Sequence, residues 1–516
     1  MITNTTISQI INLVLIIVVS ISVNQYFGNI GIFPIDSFFP FNASYEILNG
    51  VYPFKDYWTI TGPFIDIVQA ILFKIFGVNW TTYVLHASII NSILGLVVYY
   101  SLVNFDLPKK YSLIYSLLTV ILAYPSAGTP YVDHHATILS IISILIFIVS
   151  IKKINTNLWY LLPILFFCSF FTKQSPTAYI FLIIGIFYII FFIKNFFLKK
   201  TIFLFLETLI ILSIVYLIFY FYGIQFIDFY SQYIDYPLSI GENRFENFLF
   251  PFDFKRIFLK HKWLHISLIP LYVQLIKLVI KKNFISDNRT IYFGSLILSS
   301  YAFISHQLMT INGNFIFFLI PIYAGFSHSF LKIKNLKKDT LIIIITILVS
   351  FYYFNKYIVS RDFMDLTKED IKFKIDASLV DKKLYPLKWI TINNKTNPKK
   401  EIKDLQEVIE IIKNEKKNKS IITDYQFISV ILGINDNSPS KYWYYYHVYP
   451  TKDHRLFDYY KEFFLKRLKE KNVKKIFVVK PLAGDDEVVE TIFQDACFSK
   501  EKKTEILDIY DISKCF

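Results

Sequence analysis

Apolar and polar positions divide the chain in two. Up to about residue 358, long runs of Ile, Leu, Phe, Val and Tyr are broken by short polar segments; from 359 onward the pattern is short-period and rich in Lys, Glu and Asp. A helix rises about 1.5 Å per residue and must cross about 30 Å of hydrocarbon, so a spanning helix needs roughly 20 apolar residues. Runs of that order lie at 7–26, 80–103, 111–126, 134–151, 158–172, 175–194, 201–222, 263–281, 290–308, 313–331 and 339–358. They predict an α-helical polytopic membrane protein with about 11 transmembrane helices. The runs 111–126 and 158–172 are short for the role. The first has neither a basic flank nor a small-residue cleavage site, so it is expected to stay as an uncleaved span.

Two connections are too long for turns. In the loop 27–79, residues 36–49 and Phe64–Phe76 (FIDIVQAILFKIF) show helical spacing and are closed by Gly50 and Gly77. Each is too short to span, and both are expected to lie in the membrane interface. The second long loop, 223–262, mixes charge with many aromatics. The tail 359–516 alternates helix candidates (403–417, 459–471, 487–493) with strand candidates (420–424, 475–480, 505–511), the pattern of a soluble α/β domain. The division is thus a transmembrane domain, 1–358, and an α/β domain, 359–516. No internal repeat is visible, which weighs against the inverted-repeat transporters.

Composition sharpens this picture. Of 516 residues, 54% are hydrophobic and 18% charged, against about 45–50% and about 25% in soluble domains; mean hydropathy is +0.44. The net charge of +14 would suggest nucleic acid were it not so unevenly placed. Lys109/Lys110, Lys152/Lys153, Lys194/Lys199/Lys200, Lys281/Lys282/Arg289 and Lys332/Lys334/Lys337/Lys338 fall in alternate loops, while Asp36, Glu46, Asp56 and Asp133 occupy the others. By the positive-inside rule the N-terminus is cytoplasmic and the tail exported, and no nucleic-acid partner is implied. The three cysteines form no zinc pattern. Cys168 falls in an apolar run, whereas Cys497 and Cys515 are two tail thiols that an oxidising compartment would allow to pair. Walker A, GxSxG and HExxH motifs are absent from the chain.

The candidate chemistry sits in the acidic loops, because a carboxylate beside a membrane is costly unless solvated or used. Asp36 could equally be the N-cap of the helix after it, Asp56 a solvated turn residue, and Asp66 the wet face of its helix. Asp133-His134-His135 opens a span; it could cap that helix, act as a general base or supply metal ligands. Lys173-Gln174 separates two apolar runs on the side that should lack cations, which calls for an ion pair or a bound phosphate. His306-Gln307 and Asn312-Gly313-Asn314 lie at an outer turn on the same side. The aromatic cluster Lys441–Tyr449 (KYWYYYHVY) could stack on sugar rings or pack a core.

The first loop resembles a known family. A span followed by an acid, then Phe38-Phe39, Tyr45, Leu48-Asn49-Gly50, Pro53-Phe54 and Asp56, then Gly62-Pro63 and Leu72-Phe73 with Phe76-Gly77, is similar to the GT-C superfamily of polytopic glycosyltransferases. The branch is that of the protein O-mannosyltransferases, the aminoarabinose transferase of lipid A and the RgtA/B/C/D-like enzymes. The motif covers residues 30–105; the tail resembles nothing comparable. Where the family has Asp-Glu, this chain has Asp36-Ser37.

The resemblance implies an inverting transfer of a sugar from a polyprenyl-phosphate donor to an envelope lipid, glycan or protein on the exported face of a bacterial inner or plasma membrane. It implies Asp36, Asp56 and Asp133 as catalytic acids, with Asp36 the general base, and Lys173 with Gln174 at the donor phosphate. His134, His135 and His306 are candidate substrate or metal contacts; no cofactor is required by the pattern, and a divalent metal is the one candidate. The competing readings are an O-antigen-type polymerase or ligase and a polytopic transporter or flippase.

Overall fold

Each of the eleven apolar runs is helical over most of its described length. The structure is a computed structural model that describes residues 4–246, 253–282, 286–310, 315–331, 336–443, 448–482, 484, 487–493 and 497–516. Among these, seven helices are long and apolar enough to cross a membrane: Ile7–Gly28, Trp80–Asn104, Val132–Lys152, Gln174–Asn195, Leu198–Tyr222, Lys262–Ile280 and Asp339–Met364. The protein is an integral, multi-pass membrane protein. Arg289–Met309 has the length too, but it carries Ser295, Ser299, Ser300, His306 and Gln307, all buried. The expected Asn312-Gly313-Asn314 turn and Tyr444–His447 of the aromatic cluster lie outside the described residues.

The chain forms two units. One, here the helical unit, comprises Met1–Gly28, Val84–Val215 and Phe250–Phe363; the other, the mixed unit, comprises Asn29–Tyr83, Tyr216–Leu249 and Met364–Phe516.

At the heart of the helical unit is Val132–Lys152, buried from Val132 to Ile151. A helix that is apolar on every side can be enclosed on every side. Two of its hydroxyls are satisfied within the helix, Thr137 Oγ1 donating to the Asp133 carbonyl and Ser143 Oγ to that of Leu139, both at 2.8 Å. Leaving them unpaired in an apolar interior would be costly. Leu161–Phe170, Gln174–Asn195 and Arg289–Met309 pack around this helix. Leu198–Tyr222 is the reverse case, equally apolar with no buried residue, a surface stable only with hydrocarbon around it.

In the mixed unit, a four-stranded sheet runs in the order Lys419–Thr423, Lys475–Val479, Leu507–Asp511, Ser499–Lys502. The first pair is parallel, with Ile421 opposite Phe477, and the other two are antiparallel. A parallel pair needs a long crossover, which here includes the helix Phe457–Glu470. Pro398–Asn414 buries Ile402, Leu405, Val408, Ile409 and Ile412 at helical spacing. The edge strand Ser499–Lys502 is exposed throughout and charged, which discourages further pairing. Cys497 and Cys515 are disulfide-bonded across 18 residues.

The first loop also belongs to the mixed unit, and its two expected helices form at Pro34–Leu48 and Phe64–Phe76. Pro34–Leu48 buries eleven of its fifteen residues. Phe64–Phe76 turns its polar side inward: Asp66 and Gln69 are buried while Ile67, Ile71, Ile75 and Phe76 are exposed. This corrects the wet-face expectation for Asp66. Beside hydrocarbon the apolar face is the outer one, so the carboxyl goes into the protein.

Candidate active site

Three helices meet at Asp133 in the helical unit. Asp133 is the second residue of Val132–Lys152, and its Oδ1 lies 2.5 Å from Lys173 Nζ and 3.0 Å from His306 Nε2. Lys173 precedes Gln174–Asn195, and His306 lies in the last turn of Arg289–Met309. On the far side of the imidazole, Ser175 Oγ is 2.9 Å from His306 Nδ1. The cap position of Val132–Lys152 is Tyr131, with no side-chain cap bond. The cap reading of Asp133 is therefore replaced by an ion pair.

The hairpin that presents Lys173 is tied down locally. Thr172 Oγ1 donates to the Cys168 carbonyl and Thr177 Oγ1 to that of Lys173. Ser169 bridges Thr177 at 2.6 Å and Ser140 at 3.1 Å, which fastens the hairpin to the central helix. Gln174 is the first residue of its helix and half-buried.

The segment before Asp133 is held just as firmly. The buried Arg361 donates from Nη1 to the carbonyls of Pro125 and Ser126, at 2.7 and 3.2 Å, and from Nη2 to that of Ala127, at 3.2 Å. Asn24 Nδ2 donates to the Gly128 carbonyl at 3.2 Å. Gly128 has φ +81, and a Cβ there would fall 2.5 Å from Gly28 Cα. Two glycines thus let Asn4–Gly28 touch this segment backbone to backbone.

The adjacent histidines diverge. His134 packs its ring among Tyr124, Phe315 and Phe318. His135 Nδ1 lies 2.8 Å from Tyr124 Oη, with the His86 ring 5.2 Å away. Among the described residues no group of three or more His, Cys, Asp or Glu is arranged to hold a metal.

Asp36 and Asp56 belong to the mixed unit. Asp36 is not the N-cap of Pro34–Leu48. That position is Phe33, with Pro34 at the first helical turn, and the Phe33 N–H donates to Ser37 Oγ at 3.1 Å. Proline is preorganised for the first helical position, so the helix starts two residues before the acid. Asp36 sits in its first turn, half-buried, where a carboxylate suits the helix dipole. Asp56 closes the loop turn: its Oδ2 accepts the Tyr52 N–H at 2.9 Å, and Oδ1 lies 3.6 Å from Lys471 Nζ. Gln232 grips the same turn, donating to the Phe54 carbonyl at 2.8 Å and accepting from the Thr59 N–H at 3.1 Å.

Sequence reasoning did not single out Ser175, Gln232 or Arg361, nor Glu46, Asp436 and Lys441 as partners. Ser175 was adjacent to a named pair; the others had no local signal, since their partners lie far along the chain.

An ammonium has three N–H donors. Lys173 gives one to Asp133 and is 21% exposed, so donors are available to an anion at the ends of apolar helices.

No protein-family model matches the chain, and no curated protein matches it in sequence. Among solved structures, it is similar to ArnT from Cupriavidus metallidurans bound to undecaprenyl phosphate, at 11% identity and TM-score 0.49 over 96% of this chain and 97% of that one. It is also similar to the oligosaccharyltransferase AglB from Archaeoglobus fulgidus in complex with an inhibitory peptide and a dolichol-phosphate, at 11% identity and TM-score 0.36, covering 91% and 69%. An Archaeoglobus fulgidus oligosaccharyltransferase in complex with Zn and sulfate follows at 12% identity and TM-score 0.27, covering 91% and 68%.

Proposed function

We propose that the protein is an inverting glycosyltransferase that moves a sugar from a polyprenyl-phosphate donor to an envelope lipid, glycan or protein. The observation that carries the proposal is Lys173, a partly exposed ammonium held by a buried carboxylate at the end of an apolar helix. Beyond the donor given to Asp133, the ammonium keeps donors that suit a second anion, and a lipid phosphate is the anion a membrane delivers.

In this reading the chain has eleven spans, a cytoplasmic N-terminus and an exported tail. The acceptor hydroxyl attacks the anomeric carbon and passes its proton to the carboxylate of Asp36. The bond from that carbon to the phosphate oxygen breaks, and the polyprenyl phosphate leaves with the electron pair. Lys173 offsets the negative charge gained on the phosphate, and one displacement inverts the anomeric centre. Asp133 and His306 position Lys173; Asp56 keeps the first loop in shape.

The test is mass spectrometry of lipid extracts from the source cells carrying Asp36→Asn in place of the native gene. Accumulation of a glycosylated polyprenyl phosphate is the expected result. Extracts identical to wild type would contradict the proposal.

A further inference from the structure

The mixed unit holds a second set of buried charges that takes no part in the proposed transfer. Glu46 comes from Pro34–Leu48, Asp66 from Phe64–Phe76, and Asp436 and Lys441 from the tail after Phe427–Leu432; all four are buried. Lys441 Nζ lies 2.6 Å from both oxygens of Asp436 and 3.9 Å from Glu46 Oε1. The same Glu46 oxygen accepts the Asp436 N–H at 2.9 Å. Glu46 Oε2 and Tyr57 Oη have no hydrogen-bond partner among the described residues, and the Tyr57 ring lies 5.0 Å from the ammonium.

The remaining titratable groups around the set are few. Tyr45 neighbours Glu46 on its own helix, Asp56 lies on the turn next to Tyr57, and Lys471 from the tail acts on Glu46 at longer range while pairing with Asp56 at 3.6 Å. Asp436 already chelates the one buried ammonium of the set, Glu46 lies beside it, and Asp66 is a further buried carboxyl. Ionising Glu46 and Asp66 as well would leave two buried negative charges with no buried counter-ion, a state that an apolar interior resists.

We propose that the first-loop helices and the tail segment 436–441 form a proton-dependent clasp, closed while Glu46 and Asp66 carry protons and loosened when they ionise. The backbone bond from the Trp58 N–H to the Pro439 carbonyl, at 2.7 Å, and the bond from Asn42 Nδ2 to Ser429 Oγ, also 2.7 Å, lie along the same contact and do not titrate. They hold the two segments in register while the charged set sets how tightly they close. Burial pushes Glu46 up to about 7, against the pull of Lys441, and Asp66 up to about 8. For a carboxyl raised on folding, the stabilisation is complete below its unfolded value and is lost as pH rises through the folded one. The clasp is therefore tightest near pH 4–5 and loosens up to about pH 8. It stands independently of the glycosyltransferase reading. If that reading holds, the clasp regulates the helix that carries Asp36.

Hydrogen exchange of the full-length protein in detergent, from pH 5.5 to 8.5 and corrected for intrinsic rates, tests this. Peptides over 42–49 and 429–441 should open more easily with rising pH, by up to about tenfold per pH unit for each proton released, while peptides from Val132–Lys152 stay level. Glu46→Gln with Asp66→Asn should abolish that slope. A flat wild-type profile, or an unchanged slope in the double variant, would overturn the clasp. If the double variant does not fold, Glu46→Gln alone should lower the slope below about pH 7 to the share due to Asp66, and an unaltered slope there would overturn it equally.

Discussion

Lys173 Nζ and Asp133 Oδ1 lie 2.5 Å apart, the carboxylate 4% exposed and the ammonium 21%. Removing the lysine alone strands a buried carboxylate. Lys173→Met should cost about 2–3 kcal/mol, below the value for a fully buried pair because the lysine is partly wet. Lys173→Met with Asp133→Asn should cost less than Lys173→Met alone. Thermal unfolding in detergent measures both, and strictly additive losses would show that the pair is not coupled.

Arg361 serves three successive carbonyls, and no shorter side chain reaches all of them. Arg361→Met should destabilise the helical unit by about 3 kcal/mol, the cost of leaving buried acceptors unpaired. Arg361→Lys should recover less than half of that, because a single ammonium lacks the planar fork. Denaturation midpoints of the two variants give the comparison; equal stability of Lys and Arg would contradict it.

At Gly128 a Cβ would meet Gly28 Cα at 2.5 Å, and φ is +81; at Gly185, inside a helix, nothing lies within 4 Å of the added atom. Gly128→Ala should therefore displace Asn4–Gly28 and lower the yield of folded protein severalfold. Gly185→Ala should be neutral or gain up to about 1 kcal/mol. Size-exclusion profiles of both variants decide, and a normal Gly128→Ala profile would refute the close contact.

Cys497 and Cys515 close an 18-residue separation around the edge strand. Cross-links of that length contribute about 3 kcal/mol. Cys515→Ser should accordingly lower the denaturant midpoint of the tail and leave Lys173 and Asp133 untouched. Intact mass before and after reduction should differ by about 2 Da for one disulfide; no difference would show the thiols free.

The apolar runs were legible because hydrocarbon demands length and apolarity, and both are written locally. The tail strands were legible for the same reason: 420–424 and 475–480 appear as Lys419–Thr423 and Lys475–Val479. The Ser499–Lys502 strand was not, since its four residues are all exposed and carry no alternation. Asp133 and Lys173 could be named from their awkward positions, but their pairing could not, because it depends on how three helices pack. The cap reading of Asp36 failed although Pro34 was in plain view: a proline marks the first helical turn better than the Asp-Ser after it. Asp66 failed because the wet-face rule assumes water outside, and the exposed Ile67, Ile71 and Ile75 suit hydrocarbon instead. Glu46 and Lys441 are nearly 400 residues apart, and no local pattern announces such a partnership.

The most direct test of the proposed donor is native mass spectrometry of the protein gently extracted from its own membranes, comparing wild type with Lys173→Ala and with the surface variant Lys199→Ala. A polyprenyl-phosphate mass, with or without a sugar, bound to wild type and Lys199→Ala but lost from Lys173→Ala is the result predicted. Bulk phospholipid alone on all three proteins would contradict it.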